Sequence, residues 1–72
     1  MRRFDVVANH EVWDVLDGDE LVGVYERRPD AVRQAAQVAR ANAPSHLEVI
    51  AADGCVEDTA DFDTFGIVKP SG

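Results

Sequence analysis

The chain has 72 residues, of which fourteen are acidic and seven are Lys or Arg, so its formal net charge at pH 7 is −7. This length supports one domain, and the excess of acid disfavours nucleic-acid binding, which normally uses a basic surface. No apolar run reaches the roughly 18–20 residues that a membrane span needs. The single cysteine excludes an internal disulfide framework, so we expect a reducing, cytoplasmic location.

The first thirty residues predict an antiparallel meander of three strands. Residues 4–9, Val12–Asp17 and residues 21–26 are short stretches rich in valine and aromatic residues, which is typical of strands, and successive side chains in each would point to opposite faces. Asp17-Gly18 separates the second strand from the third, and this pair tolerates the positive φ of a tight hairpin turn.

The sequence period then changes to that of a helix. Pro29 suits the first helical turn, and residues 31–43 are good helix formers with a stripe of alanines on one side. Two more strands are expected at residues 46–52 and 55–59, followed by a disordered tail from about Lys69. The predicted fold of residues 1–72 is therefore a single α+β domain of order β-β-β-α-β-β, an antiparallel sheet with one helix packed on one face.

Both faces of this predicted sheet are apolar, although one helix can cover only one of them. The face expected under the helix carries Phe4, Val6, Trp13, Val15, Leu21, Tyr25, Leu47 and Val49. The other face carries Val7 together with Val12, Leu16, Val22, Val24 and Ile50. We expect these last five residues to form the interface of a homodimer, because so large an apolar surface needs cover. The alternative cover is the chain's own tail, through Phe62, Phe65, Ile67 and Val68.

The order of the elements resembles a known group of small bacterial proteins. A Trp-x-Val strand at Trp13-Asp14-Val15 precedes the alanine-rich helix, and a Leu-x-Val strand at Leu47-Glu48-Val49 then leads to Asp53-Gly54. Over roughly residues 6–59 this is similar to the proteins grouped as domain of unknown function 2188. The resemblance implies a YegP-like architecture, in which two such units share a sheet, and it implies no activity.

The sequence contains no recognisable catalytic, cofactor-binding or metal-binding motif. Cys55 has no orienting context beside His10 or His46, and the two histidines and one cysteine lack zinc-ligand spacing. The acidic pairs Asp17-x-Asp19 and Asp61-x-Asp63 do not continue into a calcium-binding loop. We therefore expect a protein that is not an enzyme and uses no cofactor.

An acidic run lies near the C-terminus and offers a second functional hypothesis. It carries Glu57, Asp58, Asp61 and Asp63. Such a run is usually a solvated strand edge that opposes aggregation. It could also mimic nucleic acid and dock on a basic protein, with charge steering the encounter. The leading expectation is a non-enzymatic homodimeric interaction domain; the alternative is an acidic inhibitor of a nucleic-acid-binding protein.

Overall fold

A computed structural model describes residues 1–63 and the backbone of residues 68–70. Its elements are β1 (Arg2–Asn9), β2 (Val12–Asp17), β3 (Glu20–Tyr25), α1 (Arg28–Ala41), β4 (Ser45–Ile50), β5 (Val56–Phe62) and β6 (Val68–Pro70). The predicted α+β class and the order β-β-β-α-β-β are confirmed, and β2 has the predicted bounds. The first, third, fourth and fifth strands each begin or end one to three residues away from the expected positions.

The strands form one mixed sheet in the order β3-β2-β1-β4-β5-β6. Its centre departs from the expected antiparallel pattern, because β1 and β4 pair in parallel. The reason is geometric: β3 runs in the direction of β1, α1 carries the chain back, and β4 then starts again in the original direction. The centre of the sheet is therefore the β1–β4 pair.

The C-terminal segment also differs from the expectation of a disordered tail from about Lys69. The backbone of β6 pairs antiparallel with β5, with Lys69 opposite Asp61 and Pro70 opposite Ala60. Ser71 and Gly72, which also belong to that expectation, lie outside the described residues. The backbone of Val68–Pro70 is thus part of the sheet.

The helix packs on the sheet through a stripe of alanines. Ala31, Ala35 and Ala39 recur every four residues and are completely buried. Side chains at this spacing lie on one side of a helix, and their small size lets the helix axis come close to the strands. The helix contacts β1, β2, β3 and β4, so it covers one side of the sheet over these four strands.

The C-terminal end of the helix is held by side chains that follow it. Asn42 donates from Nδ2 to the carbonyl of Val38 at 2.8 Å, and the buried Ser45 donates from Oγ to the carbonyl of Ala39 at 2.6 Å. Arg2 donates to Asn42 Oδ1 at 2.8 Å. These bonds satisfy carbonyls that the last helical turn leaves without partners, and the helix ends at Ala41 rather than near Ala43.

The hydrophobic core lies between the helix and the sheet. Its buried members are Phe4, Val6, Val15, Ala31, Ala35, Ala39, Leu47, Val49 and Phe62. Trp13 packs against this core but is only partly buried, with the Arg28 guanidinium 5.9 Å from its ring centre. The expected helix-side residues Phe4, Val6, Val15, Leu47 and Val49 therefore form the core, whereas Trp13 lies at its margin.

Enlarging the alanine stripe should destabilise the protein. Ala35→Leu adds three carbons where the helix meets the sheet, so we expect the free energy of unfolding to fall by about 1–3 kcal/mol. Ala41→Leu is the matched control, because Ala41 is exposed on the same helix, and it should change stability by less than about 0.5 kcal/mol. Urea denaturation measures both, and equal stability of the two variants would contradict this packing.

Candidate functional site

The side of the sheet away from α1 is here called the open face. Strand alternation and the pairing register place its residues opposite to the buried core positions. Its members are Arg3, Asp5, Val7, Asn9, Val12, Asp14, Leu16, Leu21, Val24, His46, Glu48, Ile50, Val56, Thr59 and Asp61. No helix among the described residues covers this face, which makes it the candidate functional surface.

One half of the open face is an apolar patch. It consists of Val7, Val12, Leu16, Leu21, Val24, Ile50 and Val56. Leu21, Val24 and Val56 are 55%, 51% and 51% exposed, which is unusual for large apolar side chains grouped on one surface. Four of the five predicted interface residues, Val12, Leu16, Val24 and Ile50, lie in this patch.

A β-bulge changes the position of the third strand relative to the sequence expectation. Val15 pairs with Gly23 but the next residue, Leu16, pairs with Leu21, so the register skips Val22. Leu21, expected under the helix, therefore lies on the open face beside Leu16. Val22, the fifth predicted interface residue, lies at the bulge and is 47% exposed. The sequence alone could not reveal the position of Leu21, because a β-bulge reverses which side of the sheet each residue beyond it faces.

One carboxylate lies within the apolar patch. Asp14 is opposite Val7 on one side and Val24 on the other. Its Oδ2 accepts a hydrogen bond from Asn9 Nδ2 at 3.0 Å. This contact gives the carboxylate a partner that remains if the surrounding valines and leucines are covered.

The other half of the open face carries an ionic chain across β1, β4 and β5. Arg3 donates from Nε to Asp5 at 3.1 Å and from its terminal nitrogen to Glu48 Oε1 at 2.9 Å. His46 Nε2 lies 3.0 Å from Glu48 Oε2, and His46 Nδ1 lies 2.5 Å from Asp61 Oδ1. The five side chains thus link three strands in one continuous set of contacts.

The two carboxylates next to His46 favour its charged form. The hydrogen bonds to Asp61 and, second, to Glu48 raise the pKa of His46 above 6.5, although partial burial opposes the shift. A pKa raised in the folded state means that the stabilisation is complete below about pH 6.5, the usual histidine pKa. That stabilisation is lost as the pH rises through the folded-state pKa. The sequence places His46 and Glu48 two residues apart on one strand, which puts them on the same side of the sheet. The β4–β5 register then brings Asp61 opposite His46.

The structure does not gather the four residues of the predicted acidic patch. Asp58 is opposite Val49 on the helix side of β5, whereas Asp61 is opposite His46 on the open face. Glu57, at the β4–β5 register shift, forms an ion pair with Arg28 at 3.4 Å, and Asp63 follows β5 with a polar partner of its own. Strand alternation therefore divides these acids between two sides of the sheet.

The chain's own tail was the predicted alternative cover for the open face, but Phe62, the first residue of that prediction, lies elsewhere. Phe62 is 2% exposed in the core on the helix side, so it cannot lie on the open face. Phe65 and Ile67 lie outside the described residues, as does the side chain of Val68. The backbone of β6 lies at the edge of the sheet beside β5, at the opposite edge from β3. The β2–β3 half of the apolar patch is thus left uncovered by the described residues.

A groove on the helix side is a feature that the sequence did not indicate. It has a volume of about 190 Å³ and lies between α1 and β5, with Val32, Ala36 and Arg40 on one wall and Asp58, Ala60 and Phe62 on the other. The Arg40 guanidinium lies 5.8 Å from the Phe62 ring centre. Asp58 and Arg40 give the groove both signs of charge, so its lining selects neither an anion nor a cation.

Cys55 is exposed in the turn between β4 and β5. Its backbone N–H donates to Asp53 Oδ1 at 3.0 Å, which lowers the pKa of the Asp53 carboxyl. His46, whose ring contacts Asp61 and Glu48, lies toward the other end of β4.

The described residues contain no group of three or more His, Cys, Asp or Glu side chains placed to hold a metal ion. The helix of this part of the chain, at 14 residues, is too short to cross a bilayer.

Comparisons with protein-family models, with curated proteins and with solved structures find no match to this chain. The resemblance to domain of unknown function 2188 therefore stays a prediction.

Removing the Asp61 carboxylate should move the titration of His46. Asp61→Asn eliminates the largest cause of the raised pKa, so we expect the pKa of His46 to fall toward the usual histidine value. NMR titration of the imidazole Cε1 proton measures it. Asp58→Asn is the control, because Asp58 is on the same strand but the other side of the sheet. An equal response to the two substitutions would contradict the described contact.

Proposed function

We propose that this protein is a non-enzymatic interaction domain that acts as a homodimer, with the open face as the interface. The observation that carries the proposal is the apolar patch, in which Leu21, Val24 and Val56 are each at least half exposed. Full burial of one such side chain contributes about 1.5–3 kcal/mol, so several together strongly favour a covered state. A cytoplasmic location belongs to the same proposal and rests on the single cysteine.

The size of the face supports a second copy as the occupant. The chain measures 34 × 24 × 21 Å, and the shortest extent matches one helix layer on one sheet layer. A stable protein interface buries about 800 Å² from each partner, which is close to the whole 34 × 24 Å side of the sheet. A dimer of this kind therefore extends beyond the apolar patch and reaches the ionic chain.

A two-fold arrangement suits this surface. In a symmetric dimer the same patch occurs on both partners, so apolar patch can meet apolar patch about the axis. Arg3 then lies on the covered face of each copy, beside Asp5 and Glu48 of its own chain. A small chain without disulfides, whose core is rich in alanine and valine, also gains stability from such an association.

The alternative of an acidic nucleic-acid mimic has weaker support. It rests on the net charge of −7, but Asp58 and Asp61 lie on opposite sides of β5 and Glu57 is paired with Arg28. A mimic would present these carboxylates together. Its binding to a partner would also weaken steeply with salt, because exposed charges are screened within about 8–10 Å at physiological ionic strength.

Light scattering at micromolar concentration tests the dimer. We expect a mass near twice the 7.9 kDa of the chain and a monomer for Val24→Asp, since the new carboxylate would be buried without a partner. Val24 is half exposed in the single chain, so this change should leave the fold intact.

Gln34→Asp is the matched control. It adds the same charge at an exposed position of α1, on the other side of the sheet, and should remain dimeric. A wild-type mass near 8 kDa at every concentration would reject the dimer. Dissociation by Gln34→Asp as readily as by Val24→Asp would reject the open face as the interface.

A further inference from the structure

His46 occupies a position in which both ring nitrogens face carboxylate oxygens. Nδ1 lies 2.5 Å from Asp61 and Nε2 lies 3.0 Å from Glu48. A carboxylate accepts hydrogen bonds and does not donate them, so each nitrogen has a partner only when it carries a proton. The arrangement therefore fits the imidazolium form, and the neutral ring loses one of the two bonds.

The protonation state of His46 changes the charge balance of the ionic chain on the open face. On β1, Arg3 is the cross-strand partner of His46 and binds Asp5. Glu48 on β4 and Asp61 on β5 contact the ring itself. The backbone of β6 places Lys69 opposite Asp61. The ionic chain thus sets three carboxylates against one arginine, and a protonated His46 supplies the second positive charge.

The ionic chain directly adjoins the apolar patch. Asp5 is the cross-strand neighbour of Leu16. Glu48 lies two residues before Ile50 on β4, which puts both on the same side of the sheet. These spacings of about 5–7 Å are shorter than the screening length at physiological ionic strength. The ionic chain, which runs from Asp5 to His46 and Asp61, therefore belongs to the surface that a dimer burying the whole open face would cover.

We propose that His46 controls the strength of the dimer according to pH, with the protonated ring favouring association. This inference rests on the proposed homodimer and names the regulation of its interface. When the ring loses its proton, Asp61 or Glu48 faces a nitrogen lone pair, and the net charge of the ionic chain on each copy becomes more negative by one. Like charges brought together on both partners oppose association. The raised pKa of His46 places this change above pH 6.5.

Analytical ultracentrifugation between pH 6 and pH 8.5 tests the switch. We expect the dimer dissociation constant of the wild type to rise about threefold to tenfold over this range, the size of a few screened charge contacts. His46→Gln keeps a polar side chain without a titrating group, so the constant should vary less with pH. His10→Gln is the matched control and should behave like the wild type, because His10 lies in the β1–β2 turn outside the ionic chain.

The outcomes separate the switch from the dimer. A wild-type dimer whose dissociation constant does not change with pH, or changes equally in His46→Gln, overturns the switch and leaves the dimer standing. A chain that is monomeric at every pH overturns the proposed function and the switch with it. NMR of the ring nitrogens gives an independent test, since a neutral imidazole at pH 6 would also overturn the switch.

Discussion

A single helix can cover only one side of a six-stranded sheet, and most features of this protein follow from that constraint. The helix lies on the sheet through Ala31, Ala35 and Ala39 and covers β1 to β4 from one side. The side chains on the other side of the sheet are not covered by any helix among the described residues. A sheet face can remain in contact with water when its side chains are polar, but half of this face is apolar.

The two halves of the open face therefore have different physical roles. In the proposed dimer the apolar patch drives association, because transfer of its leucine and valine side chains out of water is favourable. The ionic chain gives little net stability to the single chain, since partly exposed ion pairs contribute only tenths of a kcal/mol each. It links three strands through Arg3, Glu48 and His46, and its two carboxylates beside the ring raise the pKa of His46; in the proposed dimer it supplies the pH dependence.

Local sequence signals predicted the elements well, and long-range geometry accounts for what they missed. Alternation and the Asp17-Gly18 turn defined β2 to the residue, and Pro29 marked the first turn of the helix. The parallel pairing of β1 with β4 depends on how the helix returns the chain. The position of Leu21 depends on a bulge, and the contact of His46 with Asp61 depends on the β4–β5 register. Four of the five residues predicted for the second sheet face lie on the open face, because alternation reports the side of a strand. The acidic run was grouped by its proximity in sequence, and β5 divides it.

A second copy of the chain is proposed to cover the apolar patch. Isotope-filtered NMR on a mixture of labelled and unlabelled chains tests this cover, because it detects only contacts between copies. We expect intermolecular contacts from the methyl groups of Leu16, Val24 and Ile50, and none from Val32 on the helix. Contacts between copies that involve Val32 and leave Leu16, Val24 and Ile50 without any would reject the open face as the interface.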